Sequence, residues 1–160
     1  MLIVRIILFF FYFIITMSFI GRLKNFKQKF FYNKKQLKYG SNYRRFYKYQ
    51  MGYQNYVQDH HCIPKQHKDH ILIKTINYDI NNCDNIIIMP NKIGIKKLNL
   101  HPNSIIHQGS HNKYNIFVKE QLDYIWINYN DIDSYKYQTW LLIKFLKKNM
   151  NFNEDKIPWN

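Results

Sequence analysis

The chain has 160 residues, enough for one ordinary domain and too few for two. Its 24 Lys and Arg against 10 Asp and Glu give a formal charge of +14, which favours polyanions (nucleic acid or anionic lipid) as partners over cationic ligands. Cys62 and Cys83 form no CxxC pair, which excludes a cysteine zinc knuckle and leaves a single disulfide or two thiols open.

The chain opens with a segment, residues 1–21, that carries Arg5 and is then free of charge from Ile6 to Gly21. It is hydrophobic on every face, unlike the helix of a soluble core, and is expected to form one N-terminal hydrophobic helix. Thr16 and Ser18 supply the small residues of a signal peptide cleaved after Ser18. Phe10, Phe11, Tyr12 and Phe13, with the length of the run, suit an uncleaved membrane anchor equally. Either role makes the membrane a partner and the protein secreted or membrane-anchored. If the segment is retained, Arg22, Lys24, Lys27, Lys29, Lys34 and Lys35 outnumber Arg5 and favour a body on the cytoplasmic side.

Residues 22–58 form a basic, aromatic lead-in that interleaves Phe and Tyr with Lys and Arg. Such a mixture can stack on bases while contacting phosphates. The expected arrangement is nevertheless an amphipathic helix, broken at Gly40 and Gly52, with aromatics packed on the domain and lysines in water.

From residue 59 to 128 the pattern changes. His60 to Pro64 suits a short strand leaving a loop, and Lys68 to Ile76 a short helix with Ile71, Leu72 and Ile76 on one side. Asn81 to Asn85 turn the chain into a second apolar strand, Ile86 to Met89, stopped by Pro90. Tyr114, Phe117, Val118, Leu122 and Ile125 have helical spacing. Residues 129–160 are a C-terminal helix and tail, with Asp131 and Asp133 as caps and Trp140, Leu141, Ile143 and Leu146 as the apolar face. There are no internal repeats. The order strand, loop, strand, helix predicts an α+β fold.

Four histidines stand in two pairs. Neighbours on a strand point to opposite faces, so His60 and His61 are free to do different jobs. On a helix, His107 and His111 would share one face and bind one ion together, although Gly109 between them lowers helix propensity. A neutral imidazole is suited to take a proton from water, and further imidazoles can hold a divalent metal. His67, His70 and His101 are assigned to structure or surface.

The pieces HHCIP, NYDIN, NIIIMP and IHQGSHNKY, in that order, give the segment from Asp59 to Tyr124 its character. It resembles the AHH nucleases, a branch of the HNH/endonuclease VII superfamily often found as the toxin module of polymorphic toxins. The resemblance implies a small ββα-metal, treble-clef-like core with flanking helices. It also implies a metal-dependent endonuclease that hydrolyses the phosphodiester bonds of DNA, with RNA second, through a histidine-activated water. One divalent ion (Mg²⁺, Mn²⁺ or Zn²⁺) is implied. On this likeness His60 is a metal ligand, His61 the base, and Asn85 the brace of the loop holding the pair. His107 and His111 complete metal binding or assist water activation. A secreted toxin or effector of this branch would also have an immunity protein as partner.

Two positions depart from the family pattern. Asp59 stands where the family has alanine and could orient a neighbouring imidazole. Ile86 replaces a glycine after Asn85 and is expected to strain a turn that needs positive φ. The rival expectation is a non-catalytic, membrane-tethered basic module that binds nucleic acid, its histidines packing or holding a structural metal.

Overall fold

A short sheet carries the histidine pair. The computed structural model describes residues 37–102, 104–107, 109, 111–152 and 156–159. The hydrophobic segment expected at 1–21 lies outside the described residues, as does the lead-in to residue 36. Among the described residues no helix is long and apolar enough to cross a membrane.

Helix α1 (Asn42–Gln50) is followed by strand β1 (Val57–His61), a 3₁₀ turn (Lys65–Asp69), helix α2 (Ile71–Thr75), a second 3₁₀ turn (Cys83–Asn85) and strand β2 (Ile86–Pro90). Helices α3 (Lys92–Lys97), α4 (Asn112–Asn128) and α5 (Ile132–Phe152) complete the order. β1 and β2 pair antiparallel, with Val57 opposite Pro90, His60 opposite Ile87 and His61 opposite Ile86. The fold is α+β, a two-stranded sheet among helices.

Strand β1 begins at Val57 rather than His60 and ends at His61 rather than Pro64. It stops because Cys62 and Ile63, both fully buried, turn into the core, where the Cys62 N–H bonds the Asn85 carbonyl at 2.8 Å. Cys62 and Cys83 are not joined in a disulfide. β2 matches its expected span. Its first residue, Ile86, has φ −108° and ψ 132°, ordinary extended backbone, so the expected strain is absent. Left-handed backbone is found instead at Asn55, Asn77 and Asn99, with φ 69°, 49° and 51°. Asn is among the few side chains that tolerate it.

Two helices bury part of the face expected of them (Leu72 and Ile76 at α2, Ile143 and Leu146 in α5), and a third inverts it. In α2 the core side is Leu72, Ile73 and Ile76, while Ile71 is exposed. The 3₁₀ turn before it resets the helical phase. In α5 the stripe Tyr135, Thr139, Leu142, Leu146 and Met150 follows the 3–4 spacing of one face. Trp140 lies outside it, with the Lys144 ammonium 3.6 Å from its ring centre. In α1 the inversion is complete. Tyr43, Phe46 and Tyr49 are exposed, and the buried residue is Arg44.

Charge explains that inversion. Alternation along β1 places Val57, Asp59 and His61 on one sheet face. Arg44 Nε lies 2.7 Å from the Asp59 carboxylate and Lys48 Nζ 2.9 Å from it, so α1 docks by a buried ion pair rather than by its rings. Helix α3 approaches the sheet from another side. A Cβ at Gly94 would stand 2.0 Å from the Tyr56 carbonyl oxygen, so only glycine permits this contact.

Helix α4 closes the core through Tyr114, Val118, Leu122 and Ile125, as the spacing predicts, with Phe117 partly buried against it. Asp131 caps α5 by accepting from the Ser134 N–H at 2.8 Å.

Removing one member of a buried ion pair strands the other. Asp59→Ala should therefore lower unfolding stability by about 3 kcal/mol, and adding Arg44→Met should recover most of it. Urea denaturation of the two variants checks this. An unchanged midpoint for Asp59→Ala would show that the pair does not dock α1.

Candidate active site

His60 and His61 leave β1 on opposite sides. His60 points to the side of α4, where its ring centre lies 5.1 Å from that of His107 and 5.8 Å from that of His111. The His107 and His111 rings are 5.7 Å apart, closing a triangle of imidazoles. Three ring nitrogens bound about 2.1 Å from one tetrahedral ion would put their ring centres roughly 5.3 Å apart. The observed separations are of that size. His60 Nε2 and His111 Nε2 are also buried without a hydrogen-bond partner. The donor set and its spacing thus fit a divalent cation. In this conformation the donor atoms do not converge, for no group of three or more His, Cys, Asp or Glu side chains among the described residues is disposed to hold an ion.

The second histidine pair is not helical. α4 starts at Asn112 with His111 as its N-cap residue, and His107 lies in the segment before it. Gly109, at φ 71°, breaks any helix between them. His107 is placed instead by its N–H, which donates to the Pro90 carbonyl at 3.0 Å and ties the segment to the end of β2. The two rings meet although no helical turn brings them together.

Burial keeps the triangle neutral. The His60 imidazole is pushed down to about 3, first by desolvation and then by His107, His111 and His61. Desolvation also lowers His107, against a hydrogen bond to its own main chain. His111 is lowered by burial and by His107, opposed by a hydrogen bond to the Trp159 main chain. A neutral imidazole is the form a metal requires.

His61 faces the other way. Its ring lies 4.3 Å from that of Tyr39, and its Nε2 lies 3.1 Å from the Asn81 side-chain oxygen. An amide oxygen only accepts, so Nε2 carries the proton and Nδ1 keeps the lone pair. Burial, followed in smaller part by Lys65 and Arg44, lowers this imidazole, while Asn81 and Asp59 oppose the fall. One cleft of about 550 Å³ is lined by His60, His61 and His107 together, with Arg45, Lys48 and Lys65 on its walls. Both kinds of histidine therefore reach the same space.

Asn85 is fully buried. Its Oδ1 accepts from the Ile63 N–H at 2.7 Å, while its Nδ2 donates to the Ile63 carbonyl at 3.0 Å and the Ile80 carbonyl at 2.9 Å. The side chain thus grips both main-chain groups of the loop leaving the histidine pair. His67 and His70 bond Asn115 and Asp123 and anchor the α2 segment to α4.

Sequence reasoning gave no role to Asn81, Tyr39, Arg44 or Trp159. Asn81 closes the quoted NYDIN piece, which was a usable signal. Nothing in the composition of the tail singles out Trp159.

A two-stranded sheet carrying a histidine pair, with two more imidazoles gathered against it from the entry to a long helix, defines a histidine-centred hydrolytic site of the small nuclease class. The chain matches the AHH family, a nuclease family of the HNH/ENDO VII superfamily with conserved AHH, over residues 42–139, more than half its length, and it belongs to that family. The protein is therefore a nuclease, a hydrolase of phosphodiester bonds. Nucleases of this superfamily generally use a divalent metal. No curated protein and no solved structure matches the chain.

Asn85→Ala would orphan three buried main-chain groups at about 1–3 kcal/mol each, so a loss of at least about 3 kcal/mol is expected. A loss below 1 kcal/mol by urea titration would contradict the clamp.

Acid should also destabilise the fold. The imidazoles of His60, His61, His67, His107 and His111 are all lowered in the folded chain. The unfolded chain then binds more protons below the ordinary value of 6.5, so stability is complete above it and is lost as pH falls, for His60 down to about 3. In EDTA the urea midpoint should hold at about pH 7.5 and drop as pH falls from about 6.5 to about 5. A flat profile would contradict the burial of these rings.

Proposed function

We propose that the protein is a metal-dependent endonuclease that cuts the DNA backbone, with RNA as the lesser substrate. Strands β1 and β2 with α4 would form the ββα-metal, treble-clef-like unit of the superfamily. The observation that carries this reading is the triangle of neutral imidazoles opening on a basic cleft that also holds His61.

His60, His107 and His111 would hold the cation, two of them through the Nε2 atoms that have no other partner. When bound, a divalent ion supplies Lewis-acid stabilisation of the charge that develops on the phosphate. His61, neutral and held by Asn81, takes the proton of the attacking water at Nδ1. Asn85 keeps that histidine in place by fixing Ile63 behind it. Arg45, Lys48 and Lys65 line the cleft where the phosphates of the strand would lie. The N-terminus of α4, which has no acidic residue in its first turn, adds a favourable dipole for an anion beside His111.

The family's nuclease character favours this over the rival of a non-catalytic basic module. A secreted or membrane-anchored toxin, with residues 1–21 as leader or anchor and an immunity protein as partner, is the biological setting we infer from the family likeness and the basic chain.

Incubating the full chain with supercoiled plasmid and Mg²⁺, Mn²⁺ or Zn²⁺ tests the activity, with an RNA of matched length alongside. Cleavage should need the metal, fall about 100-fold or more in His61→Ala, and weaken as salt rises. Equal cleavage by the wild-type chain and His61→Ala would remove His61 as the base.

A further inference from the structure

The last described residues return to the site. Trp159 is 9% exposed and Ile157 6% exposed, so the tail is seated in the core. The indole ring centre lies 4.0 Å from that of His111 with 33° between the planes, covering the face of the imidazole. The same indole meets the His60 ring edge-on at 5.0 Å and the Tyr114 ring at 5.2 Å. Its Nε1–H donates to the Ile106 carbonyl at 3.2 Å, next to His107. One side chain thus touches β1, the segment before α4, and the start of α4. It lies outside residues 42–139, the part of the chain that matches the family.

We propose, resting on the three-imidazole metal assignment above, that Trp159 is a positioning residue of the active site. Its indole stacks on His111, meets the edge of His60 and holds the Ile106 carbonyl beside His107, so the tail sets where the three imidazoles stand and walls the His60–His111 pair from water.

The test uses the full chain, Trp159→Ala, Trp159→Phe, and a chain ending at Pro158, titrated with Co²⁺ alone and followed by its visible d–d absorption. Co²⁺ affinity should fall about 10-fold or more in Trp159→Ala and further in the shortened chain, with a shifted band, while Trp159→Phe retains most of it. NOE spectra of the metal-free wild-type chain should show cross-peaks between the Trp159 indole and the His111 ring, a readout that requires no variant to fold. Wild-type Co²⁺ binding that His60→Ala abolishes and the Trp159 variants leave unchanged would overturn the positioning role alone. A wild-type chain with no saturable Co²⁺ binding would overturn the metal assignment. The Trp159–His111 cross-peaks then decide the positioning role by themselves, their absence overturning it.

Discussion

The site depends on one buried amide. Asn85, fully buried, spends both its amide hydrogens on the carbonyls of Ile63 and Ile80 and accepts the Ile63 N–H at Oδ1. Leaving any of these groups unpaired in the core would cost more than an exposed contact could return. The end of β1 is therefore held against the start of β2 at one register, and His60 and His61 are fixed to one face each. A slip of one residue would exchange them.

That alternation divides the work. His60 enters a desolvated pocket with two other imidazoles, where burial keeps all three unprotonated. His61 stands at the cleft wall against Asn81 and Tyr39. The proposed base and the proposed metal ligand are consecutive residues and would interfere if both pointed to one side. The strand separates them by geometry alone.

The parts of this design that follow from local pattern were legible in the chain. The Ile86–Met89 run, the α4 stripe and the order of histidine pair, Asn and second pair need only periodicity or a motif. What escaped depends on distant partners. Arg44 buried and Tyr43 exposed reverses the usual reading of an amphipathic helix, because the decisive partner, Asp59, lies beyond the helix and is itself a departure from the family's alanine. His107 and His111 suggested a helical turn by spacing, yet Gly109 and the Pro90 carbonyl place them. Ile86 looked strained only because its backbone was assumed to be that of a glycine. Trp159 could not be foreseen, since contact between the tail and the site is a property of the folded chain.

The number of imidazoles bears on the choice between a structural and a catalytic ion. Structural zinc sites close with four protein ligands, whereas catalytic sites keep a position for water or substrate. Among the described residues, the rings around His60 beyond the two other imidazoles are those of Tyr114 and Trp159. The Tyr114 hydroxyl is already committed to the Cys62 carbonyl, and an indole N–H offers no lone pair to a cation. Three imidazoles, with no fourth donor among the described rings around them, would leave a bound ion open on one side, and His60 and His107 both reach the basic cleft. An ion bound only to stabilise the fold would have no use for an open position beside Lys65 and His61. A phosphate would.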